Sequence, residues 1–166
     1  MQANPVTTRA LERFFDALRR CDKAALRDCC SPGLRFDDPL ISITGRDDRL
    51  DWCTLLWTPC DGDGQRIWHL ELDDVHTRGP LGTARWNLRY RYTPTGRLIE
   101  LAVTSQFTFD PDGSITAQRD SFDFWRWSRQ AHGLLGLLLG WTPLLWDQAR
   151  DQARVSLEDH QRRWAA

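Results

Sequence analysis

At 166 residues, with 41% hydrophobic and 27% charged content, the chain suits one soluble domain able to bury a real core. A net charge of −1 and the lack of any lysine/arginine block exclude the electrostatic footprint of non-specific nucleic-acid binding. The five cysteines are odd in number, form no CxxC and follow no secretory signal, so reduced thiols in a cytoplasmic protein are expected.

His69, His76, His132 and His160 have no ligand spacing, and no metal or other cofactor is expected. Nine tryptophans are a surplus suited to cores, pocket walls and interfaces. Pro5 ends a short arm. Thr7 or Thr8 can cap a first helix with the apolar stripe Ala10, Leu11, Phe14, Leu18 and Cys21. Asp22 reads as the cap of a second helix, KAALRDCC, which SPG at 31–33 stops. LRFDDP at 34–39 is a short strand ended by proline. Thr44 and Asp47 resemble a capping box for a third helix over 46–57, with Leu50, Trp52, Leu55, Leu56 and Trp57 buried. TPCDGDG at 58–64 is a loop.

Strands are predicted over 67–76, 83–92 and 98–109, each alternating apolar and polar residues, as an antiparallel sheet with one wetted face requires. The sharpest hairpin signal is FTFDPDGSITAQRDSFDFWRW at 107–127. Its second strand, predicted over 114–125, carries Gln118, Asp120, Phe122 and Phe124 on one face. Two of these are polar where a core strand would be apolar. A helix over 128–139 and another from Thr142-Pro143 to about Arg163 form the tail. GLLGLLLGWTPLLW is 14 residues long and broken by glycine and proline, too short to span a bilayer. A buried lid or dimer contact is its expected role, ahead of a membrane-surface anchor.

RFDDPLISITGRDDRLDW at 35–52 and FTFDPDGSIT at 107–116, in this element order, resemble the nuclear-transport-factor-2-like superfamily. That superfamily includes ketosteroid isomerase, limonene epoxide hydrolase and SnoaL-like polyketide cyclases. The resemblance implies an α+β, cone-shaped, barrel-like fold. Three N-terminal helices would pack on a curved, mixed, largely antiparallel sheet at 1–127, with a C-terminal helical extension at 128–166 packed on the same domain. It also implies a homodimer, which the tryptophan surplus supports. The strand parities then put Trp86, Leu88, Tyr90, Val103, Ser105, Phe107, Gln118, Asp120 and Phe122 on the cavity face, joined by Phe14, Leu18, Trp52 and Leu55 from the helices.

Asp38 matches the catalytic base of the isomerase, and an apolar cavity raises a carboxyl pKa toward neutrality. The same residue, ahead of Pro39, suits an Asx turn. The positions matching the isomerase's two oxyanion donors are Phe14 and Ser105, which counts against isomerase chemistry. SnoaL-like cyclases place an acid/base aspartate on a late strand, which favours Asp120. A structural pairing of Asp120 with Arg89 or Arg119 is the alternative, and a one-residue slip would turn it outward. An Asp-Arg-Asp relay of the epoxide-hydrolase kind does not fit, because Arg89 alternates outward. The expected function is binding of a small apolar carbonyl-type molecule, as an isomerase- or cyclase-like proton-transfer enzyme. Asp120 and Asp38 would be catalytic, with Phe14, Trp52, Trp86, Tyr90, Ser105, Gln118 and Phe122 around the substrate. The alternative is a non-catalytic ligand-binding or dimerisation module.

Overall fold

The first helix, α1 (Pro5–Arg20), starts at the proline rather than at Thr7 or Thr8 in the computed structural model, which describes residues 5–57 and 67–164. A first-turn proline loses no helical hydrogen bond. The two threonine hydroxyls instead tie the helix to a distant hairpin, Thr7 donating to the Gly79 carbonyl (3.4 Å) and Thr8 bonding Thr77 (2.7 Å). Asp22 caps α2 (Lys23–Asp28), accepting from the Ala25 amide at 3.0 Å.

SPG does not form the predicted break: β1 (Cys30–Asp37) runs through it. The strand shifts register between Cys30 and Arg35, where Pro32 lacks an amide donor. A short β2 (Ser42–Thr44), absent from the sequence reading, pairs back on β1, and α3 (Arg46–Trp57) follows. The loop predicted over 58–64 lies outside the described residues.

Next come β3 (Trp68–Arg78), β4 (Leu81–Tyr92), β5 (Arg97–Phe109) and β6 (Ile115–Ser121). The sheet is open and mixed, in the order β2-β1-β6-β5-β4-β3, with β1 and β6 the parallel pair. Burial alternates along β4 and β5, so the inner face is apolar and the outer face carries Arg85, Asn87, Arg89 and Glu100. Helices α1 and α3 cover the inner face, giving the expected α+β cone.

The last strand ends four residues earlier than predicted. Asp123 accepts from the Arg126 amide at 3.0 Å and caps α4 (Phe124–His132), so FDFWRW is a loop and helix start, not a strand end. Two more helices follow, α5 (Leu134–Leu139) and α6 (Pro143–Trp164). Helix α6 buries Ala149, Ala153 and Leu157 across the open end of the cone. Arg150 donates to the Pro39 carbonyl (3.1 Å) and Gln161 to Asp48 (2.9 Å), which fixes that placement.

The leucine-rich run is not the lid. Helix α5 is bolted to α4 by its glycines: a Cβ at Gly136 would stand 1.9 Å from the Ser128 carbonyl oxygen. Gly136→Ala must therefore push α5 away from α4. The expected loss is about 1–3 kcal/mol in urea unfolding, the range for an overpacked contact; unchanged stability would refute this packing.

Candidate active site

Inside the cone, β1, α3, β4, β5 and the end of β6 enclose a narrow space lined by Phe36, Trp52, Trp68, Trp86, Leu88, Tyr90 and Phe122. Three charged residues, Asp38, Arg49 and Asp120, share this wall. Water centres fit over about 50 Å³, enough for a few waters. A second space of about 40 Å³ continues beneath α6, sharing Leu40, Trp52, Leu56 and Tyr90 with the first. Much of the tryptophan surplus is used here, since Trp52, Trp68, Trp86 and Trp127 line the two spaces.

Asp38 lies in the turn after β1. Its Oδ1 accepts from the amides of Leu40 (2.6 Å) and Ile41 (2.8 Å), so the Asx turn does form. Among the described residues Oδ2 has no hydrogen bond. Burial pushes the Asp38 carboxyl up to about 7. The two amides and Arg49 pull it down, and the charge of Asp120 adds to the rise.

Asp120 faces inward, opposite Ser105 in the β5–β6 register. It is paired with neither Arg89, which bonds Glu100 on the outer face (3.3 Å), nor Arg119, which is exposed. A chain of donors ends on it. Trp86 Nε1 donates to Ser105 Oγ (2.8 Å), Ser105 Oγ donates to Asp120 Oδ1 (2.6 Å), and Gln118 Nε2 reaches both carboxylate oxygens at 3.0 Å. Burial raises the Asp120 pKa, while Arg49, Ser105 and Gln118 oppose the rise.

Arg49 was not singled out in the sequence. It is 6% exposed, with its guanidinium 3.9 Å from the Phe36 ring centroid. It donates to Cys53 Sγ and, at 3.5 Å, to Gln118 Oε1, while among the described residues its Nε has no partner. Among the described residues it makes no direct ion pair. Its signal was the stripe Arg49, Trp52, Cys53 and Leu56, spaced i, i+3, i+4 and i+7 on α3.

Tyr90 Oη accepts from Trp127 Nε1 at 3.0 Å, which leaves its own O–H proton for an acceptor in the cavity. Burial raises the Tyr90 pKa, so the hydroxyl stays protonated. Of the remaining predicted residues, Trp52, Trp86 and Phe122 line the cavity. Phe14 stands behind the wall, packed against Phe15 and Phe107, and lines no part of it. Ser105 and Gln118 also lie behind the wall, their donors directed at Asp120. His69 and His76 are exposed on the outer face, bonded to Glu71 and Asp74. Burial holds the Cys53 thiol up and pushes Cys30 to about 12, so neither supplies a thiolate. Among the described residues no three His, Cys, Asp or Glu side chains converge as a metal site would need.

Residues 11–118 match the family described as SnoaL-like domain. No curated protein matches significantly. The fold is similar to that of a protein from Jannaschia sp. CCS1 described as a SnoaL-like polyketide cyclase: 15% identity, 80% of this chain and 98% of that one covered, TM-score 0.66. It is also similar to an M. tuberculosis LEH-like epoxide hydrolase, at 21% identity, 84% and 95% coverage and TM-score 0.60. A third is a protein of ketosteroid isomerase-like fold from Catenulispora acidiphila DSM 44928 in complex with trimethylamine, at 15% identity, 81% and 97% coverage and TM-score 0.62. At such identities the likeness is one of fold.

Proposed function

Because the chain belongs to the SnoaL-like domain family, we propose that it binds a small apolar carbonyl compound in the cone and moves a proton on it. Asp38 is the acid/base group. The observation that carries this reading is the division of labour in its carboxyl: Oδ1 is pinned by two backbone amides, while Oδ2 takes no hydrogen bond among the described residues and the side chain lines the cavity. A carboxyl held near pH 7 can take and return a proton at physiological pH.

Asp38 Oδ2 removes a proton from the carbon beside the substrate carbonyl, and the electron pair moves to the carbonyl oxygen. Tyr90 O–H donates to that oxygen as charge builds, the role for which Trp127 orients it. The proton on Asp38 then returns to a different carbon. Asp120, with its oxygens engaged by Ser105 and Gln118, tunes the field rather than touching the reacting carbon. The narrow space suits a compact, flat substrate. Free thiols at Cys29, Cys30 and Cys53 support a reducing, cytoplasmic setting for this reading.

4-Nitrophenol, a flat enol mimic, tests the site by calorimetric titration. Wild type should bind it, and Tyr90→Phe should weaken binding about tenfold, the value of one good hydrogen bond. Absence of binding, or equal affinity in the variant, sinks the reading. A second reading, opening of an epoxide by water, is favoured by one observation: Arg49, from α3 instead of β4, shares the cavity wall with Asp38 and Asp120. Diol formation from cyclohexene oxide, without deuterium exchange into a cyclic ketone, would select it.

A further inference from the structure

Between Phe124 and Trp146 the chain displays its largest apolar side chains to solvent. Leu134, Leu135, Leu137 and Leu138 of α5 are 44–76% exposed, Trp141 and Leu144 are 74% and 63%, and Trp125 is 39%. This display is built in. Gly136 of α5 and Gly140, the cap that follows it, meet α4, where a Cβ would strike the Ser128 carbonyl oxygen (1.9 Å) or hydroxyl (2.1 Å). With its glycines inward, α5 must turn its leucines outward.

The rim of the patch carries more cations than acids: Asp123 and Asp147 edge the groove lined by Trp125 and Trp141, against Arg150 there and the arginines of α4. No acidic residue lies between Asp123 and Asp147, whereas Arg126 and Arg129 do, and His132 is the only other titratable group. Arg129 stacks 3.9 Å from the Trp125 ring centroid, so a cation and an indole share the rim. Arg97 adds a third guanidinium, held beside the C-terminal end of α4 by the Gln130 carbonyl. Glu100, on β5 with Arg97, is paired with Arg89.

We propose that this face seats the protein on an anionic membrane surface, the leucines and tryptophans entering the headgroup boundary and the arginines meeting lipid phosphates. Exposed apolar side chains, interfacial tryptophans and a surplus of cations over acids are the combination a headgroup layer recognises. No helix among the described residues is long and apolar enough to cross a bilayer, so the protein would lie on the surface.

Cosedimentation of the full chain with vesicles tests this. Vesicles of phosphatidylcholine with 30% phosphatidylglycerol should pellet the protein, and phosphatidylcholine alone should pellet at least fivefold less. Leu135→Ser with Leu138→Ser, both exposed and outside the core, should abolish pelleting at unchanged circular dichroism. Arg126→Gln with Arg129→Gln should remove the preference for anionic vesicles. Failure to pellet, or pelleting unaffected by the leucine changes, overturns the proposal. So does a dimer in sedimentation velocity that the same leucine changes dissolve, since the patch would then belong to a second copy.

Discussion

Asp38→Asn should lower proton-transfer turnover by roughly 10²–10⁴-fold while leaving the protein more stable than wild type at pH 8. Asparagine keeps an Oδ1 that can accept from Leu40 and Ile41, so the turn survives. What disappears is the titrating oxygen. The native carboxyl sits at about 7, above its ordinary value of 3.8, because burial penalises its charge. A group raised in this way contributes stability that is fully present below its unfolded pKa and is lost as pH rises through the folded one. Wild type should thus weaken between about pH 4 and pH 7 by as much as about 4 kcal/mol, and by less where solvent reaches the turn. The asparagine variant should lack that slope, and the difference between the two isolates Asp38 from every other carboxyl. Urea unfolding at pH 5, 6, 7 and 8 reads it. Parallel pH profiles would mean that Asp38 is an ordinary solvated turn residue. In the same window, wild-type kcat/KM should rise through about pH 7 as the base ionises.

The sheet was legible because a period of two survives any tertiary rearrangement: Trp86, Leu88 and Tyr90 had to share a face, and so did Gln118 and Asp120. Where a strand stops is decided by one local bond, and that was not legible. Asp123 reads equally well as a strand residue or a helix cap, and only the cap bond to Arg126 decides. The leucine run misled for a related reason. Hydropathy says that leucines seek burial, but the closeness of Gly136 to Ser128 gives the buried face to glycine. Arg49 escaped because a buried guanidinium is costly enough to be assigned to solvent by default. Its compensation comes from a strand about seventy residues away. The sequence favoured Asp120 over Asp38 for chemistry, because Phe14 and Ser105 leave Asp38 without the isomerase's oxyanion donors; the proposal for Asp38 rests instead on how the oxygens of the two carboxyls are bonded.

Arg49→Met should destabilise the protein by about 3–5 kcal/mol at pH 8, a large effect for a residue with no direct ion pair. Arg49 is the first of the influences that hold down the Asp120 pKa against burial, and without it the carboxylate stands in the core with only the Ser105 and Gln118 dipoles. Methionine replaces much of the volume against Phe36, so lost packing is a minor part. Two features identify the charge as the cause. First, the loss should fade as the pH falls. The Asp120 pKa, raised further in the variant, makes the penalty largest when the group must ionise and small once it is protonated. Second, Arg49→Met combined with Asp120→Asn should recover most of the loss. The new Oδ1 still accepts from Ser105, and the new amide can donate to Gln118 Oε1, the acceptor that Arg49 vacated. Asp120→Asn alone should not be neutral, because it strands Arg49 in the core as a cation whose Nε already lacks a partner among the described residues. A loss that is independent of pH and additive in the double variant would show that Arg49 only fills space. Nonadditivity would establish that Arg49 and Asp120 form one coupled buried charge system on the wall they share with Asp38.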